Sequence, residues 1–523
     1  MRLHTTTIFS FVLIIIGLFG CSSESRNPQE QLGELDFKVT GSNEAQPFFK
    51  KGLLLLHSIE YEDAAENFSM AHEMDPSFAM AYWGEAMTYN HSLWRYQNKE
   101  KADSVLNLLA PSPGERILKA KTDIEIAFVN AVNVLYSDGS KTERDDKYAA
   151  FMATLYKRYP GNAEVAAFYS ISLIGSVEVG RDTTVYGHAA AIAKEVLAIN
   201  PNHPGALHYL IHSYDDPDHA ALALEAADAY AKVAPSASHA LHMPSHIYLA
   251  LGQWEKVISS NEVAWAASEE RRKGKSLTND ALGYHSLHWL MYGYLQKGRT
   301  EEAKLLVTEM QHYCDTLPSS RAREHMILLK STYLVESGDW QSAVTAIEVK
   351  TDDLNVSVRA INHYVNGMYA YYQKEEKLLA TAISGLNKEC ISDHQNITDK
   401  GGHSCGSVTA TAPNLLDVQY AEVIQMELEA MHAWMKKDTA ATDEWFRKAT
   451  ALENSISYSF GPPTVVKPSN ELYGEWLLEV MKPEAAKQQF ELALHAAPNR
   501  TLSVNGITAA DSMVNGNKDM AKK

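Results

Sequence analysis

Residues 45–76 read AQPFFKKGLLLLHSIEYEDAAENFSMAHEMDP, and this stretch decides the fold. Apolar and small residues recur at three- and four-residue spacing, first around Phe48–Leu55 and again around Ala64–Ala71. That is the pattern of two amphipathic helices joined by a short turn. In a 34-residue frame opening at Ala45, Phe48, Gly52 and Leu55 take positions 4, 8 and 11. Ala64, Phe68, Ala71 and Pro76 take positions 20, 24, 27 and 32. Small residues let paired helices approach closely, and the proline ends the second helix. One frame further on, Tyr82, Ala86 and Tyr89 fall on Phe48, Gly52 and Leu55. Near the C-terminus Gly474, Leu477, Ala486, Phe490, Ala493 and Pro498 repeat the pattern, and Pro201 and Pro235 are one frame apart.

This spacing resembles the tetratricopeptide repeat (TPR). The resemblance implies an all-α, superhelical array of TPR-like helix pairs, each burying its face on its neighbours. We expect the array over residues 45–386, a loop over 387–413 rich in Gly, Ser and Thr, a C-terminal helical section over 414–515 with the last repeat, and a polar tail over 516–523. Two blocks, HALHMPSHI (239–247) and GPP…KPS (461–469), resemble those of a family of bacterial TPR-containing lipoproteins. That resemblance covers most of residues 45–515 and implies a fold but no activity. Asn470 stands where the family pattern has a histidine.

Residues 1–20, MRLHTTTIFSFVLIIIGLFG, place Arg2 ahead of an apolar run from Ile8 to Phe19. A membrane-spanning helix needs about 20 apolar residues, so the run suits a signal peptide better. Leu18-Phe19-Gly20-Cys21 resembles the bacterial lipobox, which implies cleavage before Cys21 and acylation of its thiol. A cleaved signal with an unmodified cysteine is the alternative. Residues 21–44 read as a polar tether. Ser22, in place of an aspartate that retains lipoproteins at the inner membrane, points to lipid anchoring at the outer membrane, on either face.

The chain has 523 residues, with 65 acidic and 47 basic side chains and a net charge of −18. This balance excludes a general nucleic-acid binder, which needs a basic surface. No P-loop, dinucleotide-binding glycine fingerprint or nucleophile elbow occurs, so no catalytic residue is assigned. Of 21 histidines, nine fall between His203 and His288. His208 and His212 are four residues apart on one helical face, and His242 and His246 repeat the pair one frame later. TPR folds line their groove with such helix-A positions, which would also put Trp83, His91 and Trp94 there.

Three readings stand open for these residues. Histidines from facing helices hold zinc or copper with bonds of about 2.0–2.1 Å. A groove of His208, His212, His242, His246, Trp83, His91 and Trp94, with Tyr209 and Tyr248, would instead grip a protein or glycan ligand. In the third reading the histidines simply pack between helices. HYLIH lacks the glutamate of the zinc-protease motif. Pro244 either kinks its helix or begins one, and the second case would take His239 and His242 off the shared face. Cys390 and Cys405 are candidates for a disulfide, with free thiols or a metal site with His394 and His403 as alternatives. By size, helical scaffold and anchor the chain is analogous to SusD-like lipoproteins, which suggests binding or scaffolding in polysaccharide capture.

Overall fold

The structure, a computed structural model, describes residues 31–399 and 413–521. Helix pairs follow one another along the chain, beginning with Gln46–His57 and Tyr61–Met74 and ending with Ser469–Glu479, Pro483–Ala496 and Thr501–Ala521. The only strands among the described residues are two two-residue segments, pairing Asn90 with Gln97 and His91 with Tyr96. Phe68 explains the repeat physically. A Cβ on Gly52 would lie 3.0 Å from its ring, and one on Gly84 2.3 Å. The ring is therefore clamped between its own helix pair and the next. Phe490 is held the same way between Gly474 and Gly506, at 2.8 and 2.4 Å. The frame's aromatic position is thus filled identically at both ends of the array.

The array folds back on itself. Arg271, on the helix Trp254–Gly274, pairs with Asp63 on the helix Tyr61–Met74. The Glu60 carboxylate accepts from the backbone N–H of His239 and from Ser238 Oγ, both at 2.9 Å. The C-terminal section closes onto the middle: Trp254 Nε1 donates to the Asn499 carbonyl at 3.0 Å, and Thr501 N–H donates to Gln296 Oε1 at 2.8 Å. Gly252 sits in this seam with φ +62°, and a Cβ there would come 2.3 Å from the Pro498 carbonyl. Gly252→Ala is expected to cost about 2 kcal/mol, from the left-handed backbone and the clash together. Chemical denaturation with fluorescence detection checks this; a loss within about 0.5 kcal/mol would mean the seam yields freely.

Two boundaries differ from the sequence reading. The stretch from residue 31 to 44 is not a free tether: Glu34 N–H donates to the Asn202 carbonyl at 3.0 Å, Thr40 N–H to Glu125 Oε1 at 2.6 Å, and Phe37 packs on Phe128. Residues 387–399 are helical, within Glu376–Asp399. Leu379, Ile383, Leu386 and Cys390 recur at helical spacing and are buried, so the apolar stripe outweighs the polar composition. Cys405, with the rest of the expected disulfide loop, lies outside the described residues, as does the signal and lipobox segment through Cys21.

Pro244 is the first residue of the helix Pro244–Ala250 and follows the short helix Ser238–His242 almost in line. Met243 between them keeps helical angles, and its N–H donates to the His239 carbonyl at 3.0 Å. Both sequence alternatives are therefore half met. Proline starts a helix, yet the ligand atoms of His242 and His246 still meet, while His239 joins His208 and His212.

Candidate metal centre

Four helical segments carry the histidines inward. Pro204–Ser213 supplies His208 and His212, Ser238–His242 supplies His239 and His242, Pro244–Ala250 supplies His246, and Tyr284–Gln296 supplies His285. The first of these helices is capped by His203, whose Nδ1 accepts from Ala206 N–H. His203 is held in turn by Glu164, which also binds His57 at 2.8 Å. That triad is saturated, because His57 Nδ1 meets the Tyr209 hydroxyl at 2.9 Å. Burial opposes the charge on Glu164, but the two imidazoles beside it bring its pKa down to about 2. It is a structural brace.

The centre itself is not saturated. His208 Nδ1 donates to the His57 carbonyl at 2.8 Å. The Nδ1 atoms of His212 and His246 both donate to Asp215 Oδ2, at 3.0 and 3.1 Å. His242 Nδ1 donates to Asn261 Oδ1 at 2.6 Å, and the Asn261 amide is oriented by its own bond to the Val257 carbonyl. Each of these partners can only accept, so each Nδ1 carries the hydrogen and each Nε2 presents a lone pair. Among the described residues the Nε2 atoms of His212, His242 and His246 are buried with no hydrogen-bond partner. His208 Nε2 and His239 Nε2 lie 3.2 Å apart.

Burial keeps the rings of His208, His239, His242, His246 and His285 neutral. Burial, then the neighbouring imidazoles, push His208, His239 and His285 far below the usual histidine range; burial and His246 do the same to His242. Burial likewise takes His246 down to about 4 despite its bond to Asp215. Burial also works against the charge of Asp215, yet Arg181 and the two histidines outweigh it and hold the carboxyl far below the ordinary range. Trp289 and Phe460 wall the centre, their rings 4.5 and 4.9 Å from that of His246. Neutral, oriented imidazoles in an apolar wall are the state a transition metal requires.

The candidate residues from the sequence divide. His208, His212, His242 and His246 all belong to the centre, but as four they do not close on one point. Their ligand atoms fall into two sets, each mutually within 4.8 Å: His208, His212 and His239, and His242, His246 and His285. Trp83 is not on a groove wall. It is fully buried and packs edge-on against Phe128 and Phe168, because its helix turns that face into the core. His91 stacks on Tyr61 at 3.9 Å, and Trp94 is 43% exposed with its ring 5.9 Å from His239. Tyr209 and Tyr248 are buried and bonded to His57 and Asp228. From sequence alone Asp215 reads as a carboxylate in a loop and His285 as a histidine on a later helix, neither joined to the site, and Asn261 is not singled out. Cys390 is buried on its helix.

Beyond Phe460, a cavity of about 510 Å³ lies between the middle of the array and the GPP…KPS block. Arg181, Tyr420, Tyr458 and Asn470 line it. Arg181 links it to the centre, since its guanidinium pairs with Asp215.

No protein-family model and no curated protein sequence matches the chain. Among solved structures it is similar to yeast Tom70, at 10% identity over 91% of this chain and 90% of that one, with a TM-score of 0.36. It is also similar to IFIT1 bound to Gppp-AAAA, at 12% identity over 92% of each chain and a TM-score of 0.38. The Cut9–Hcn1 structure gives 11% identity, 89% and 76% coverage and 0.36. No helix among the described residues is long and apolar enough to cross a membrane.

Proposed function

We propose that this helical-repeat protein is a metal-binding protein whose buried histidine centre holds zinc or copper. One observation carries the reading: three adjacent imidazole Nε2 lone pairs are buried without partners while their Nδ1 atoms are pinned. A buried polar atom left unsatisfied costs about 1–3 kcal/mol. One such atom, on His212, lies in one ligand set and two, on His242 and His246, lie in the other, a standing cost that bound metal removes. The pinned Nδ1 atoms are the outer-shell bonds that orient metal ligands.

The alternative, an aromatic groove for a glycan or protein, loses Trp83 to the core and keeps only Trp94 as an exposed indole. Binding and scaffolding remain natural roles for the outer surface of a helical-repeat array. The lipid anchor on Cys21, placement at the outer membrane and a supporting part in polysaccharide capture belong to this proposal, supported by the lipobox and by analogy of scaffold.

Metal analysis of the chain purified without an affinity tag tests the reading. Stoichiometric zinc or copper is expected, reduced in His242→Ala/His246→Ala and lost when His208→Ala/His212→Ala is added, while circular dichroism still reports the helical fold. Absence of bound metal before and after loading with both ions would overturn it.

A further inference from the structure

We infer that the repeat has duplicated a three-histidine site, so that the six imidazoles hold a pair of copper(I) ions side by side. The inference rests on the metal-centre reading above and specifies its ligands, count and ion.

The duplication is visible in the ligands. His208 and His212 form a pair four residues apart on one helix, completed by His239, the second residue of Ser238–His242. His242 and His246 form the same pair one frame later, completed by His285, the second residue of Tyr284–Gln296. Each set therefore takes a pair from one repeat and a first-turn histidine from the next. The ligand atoms of each set lie within 4.8 Å of one another. The 3.2 Å between His208 Nε2 and His239 Nε2 fits the edge of a polyhedron with metal–nitrogen bonds of about 2.0–2.1 Å. The sets adjoin: ring centroids of His212 and His246 are 5.0 Å apart, and those of His239 and His242 6.0 Å.

Charge selects the ion. All six ligands are imidazoles, which suit copper and zinc better than oxygen-seeking ions such as magnesium or manganese. Two zinc ions would bring four positive charges into a buried site; two copper(I) ions bring two. The one carboxylate bonded to the ligands among the described residues is Asp215, and it shares Arg181 with Asp216. Glu60 accepts from the His239 backbone and from Ser238, not from a ring. With so little negative charge available, the monovalent ion is favoured.

Anaerobic titration of the metal-free chain with copper(I), in competition with a chromophoric copper(I) chelator, tests this. Two equivalents are expected in the parent protein and one in each of His239→Ala and His285→Ala, with the helical signal retained. One equivalent in the parent would overturn the pair and leave the metal centre standing; none would overturn both. Two equivalents retained by His285→Ala would overturn the ligand assignment. Zinc that fills both positions and resists displacement by equimolar copper(I) would overturn the ion. If either variant unfolds, copper X-ray absorption of the loaded parent decides: three nitrogens with a copper neighbour support the pair, and no copper neighbour overturns it.

Discussion

Asp215→Ala is expected to destabilise the protein by about 3–5 kcal/mol and to weaken its metal binding about 10–100-fold. Asp215 is fully buried and its two oxygens serve three partners. Oδ1 pairs with Arg181, and Oδ2 accepts from both His212 and His246. Removing the carboxylate leaves a mostly buried guanidinium, which retains Asp216 at 3.2 Å and the backbone carbonyls of His212 and Ser213. It also frees two rings that belong to different histidine sets, so both sets lose orientation at once. Asp215→Asn separates the effects, because its amide oxygen still accepts a ring hydrogen but no longer balances Arg181. It is expected to lose most of the stability while retaining part of the metal affinity. Urea denaturation and chelator competition on the same samples measure the two. A change below about 1 kcal/mol in Asp215→Ala, with metal binding intact, would show that Arg181 and the histidines find other partners.

The residues that set the helix pairing were legible because they obey a fixed spacing. Gly52 and Phe68 are readable as positions 8 and 24 of the frame, and the structure clamps Phe68 with a glycine on either side. The two histidine pairs were legible for the same reason, since a four-residue spacing on a helix means a shared face. What completes each pair was not. A strict frame would begin the next repeat at Arg272, but the helix Trp254–Gly274 runs through that point and delays the following helix to Tyr284. His285 therefore falls outside any count from His242. Asp215 was hidden differently. It lies in the loop after Pro204–Ser213, where an acidic residue in DDPD reads as solvated, and Arg181, 34 residues earlier, holds it inward together with His212 and His246. Trp83 misled in the opposite sense, because the position that lines a groove in a regular array is here covered by Phe128 and Phe168.

Arg500→Met tests the closure of the C-terminal section on the array, and a loss of about 3–5 kcal/mol is expected. Arg500 is fully buried. Its Nε and Nη2 donate to the Glu471 carboxylate at 2.8 and 3.0 Å, and its Nη1 reaches Glu336 and, at 3.1 Å, the Tyr292 hydroxyl. The one guanidinium thus joins Thr501–Ala521 to Ser469–Glu479, Tyr284–Gln296 and Ser320–Ser337. Burial works to raise the pKa of Glu471, but Arg500 and then Lys467 bring it down to about 2, whereas burial raises that of Glu336 in spite of Arg500. Methionine fills the volume and leaves two buried carboxylates facing each other with Lys467 alone for compensation. Their pKa values then rise above the ordinary range of about 4.3 for glutamate, so the folded state takes up protons that the unfolded chain does not. The variant should therefore regain stability relative to the parent as the pH falls from 7 towards 5, a range over which loss of a simple ion pair leaves the deficit unchanged. Adding Glu471→Gln to Arg500→Met should recover part of the loss at pH 7 by removing one unpaired charge. Thermal denaturation of parent, single and double variants across that pH range reads both effects. A single variant whose deficit is below about 1 kcal/mol, or constant with pH, would mean that the carboxylates are hydrated and that the C-terminal helices are held by Trp254, Gln296 and the Gly252 seam instead.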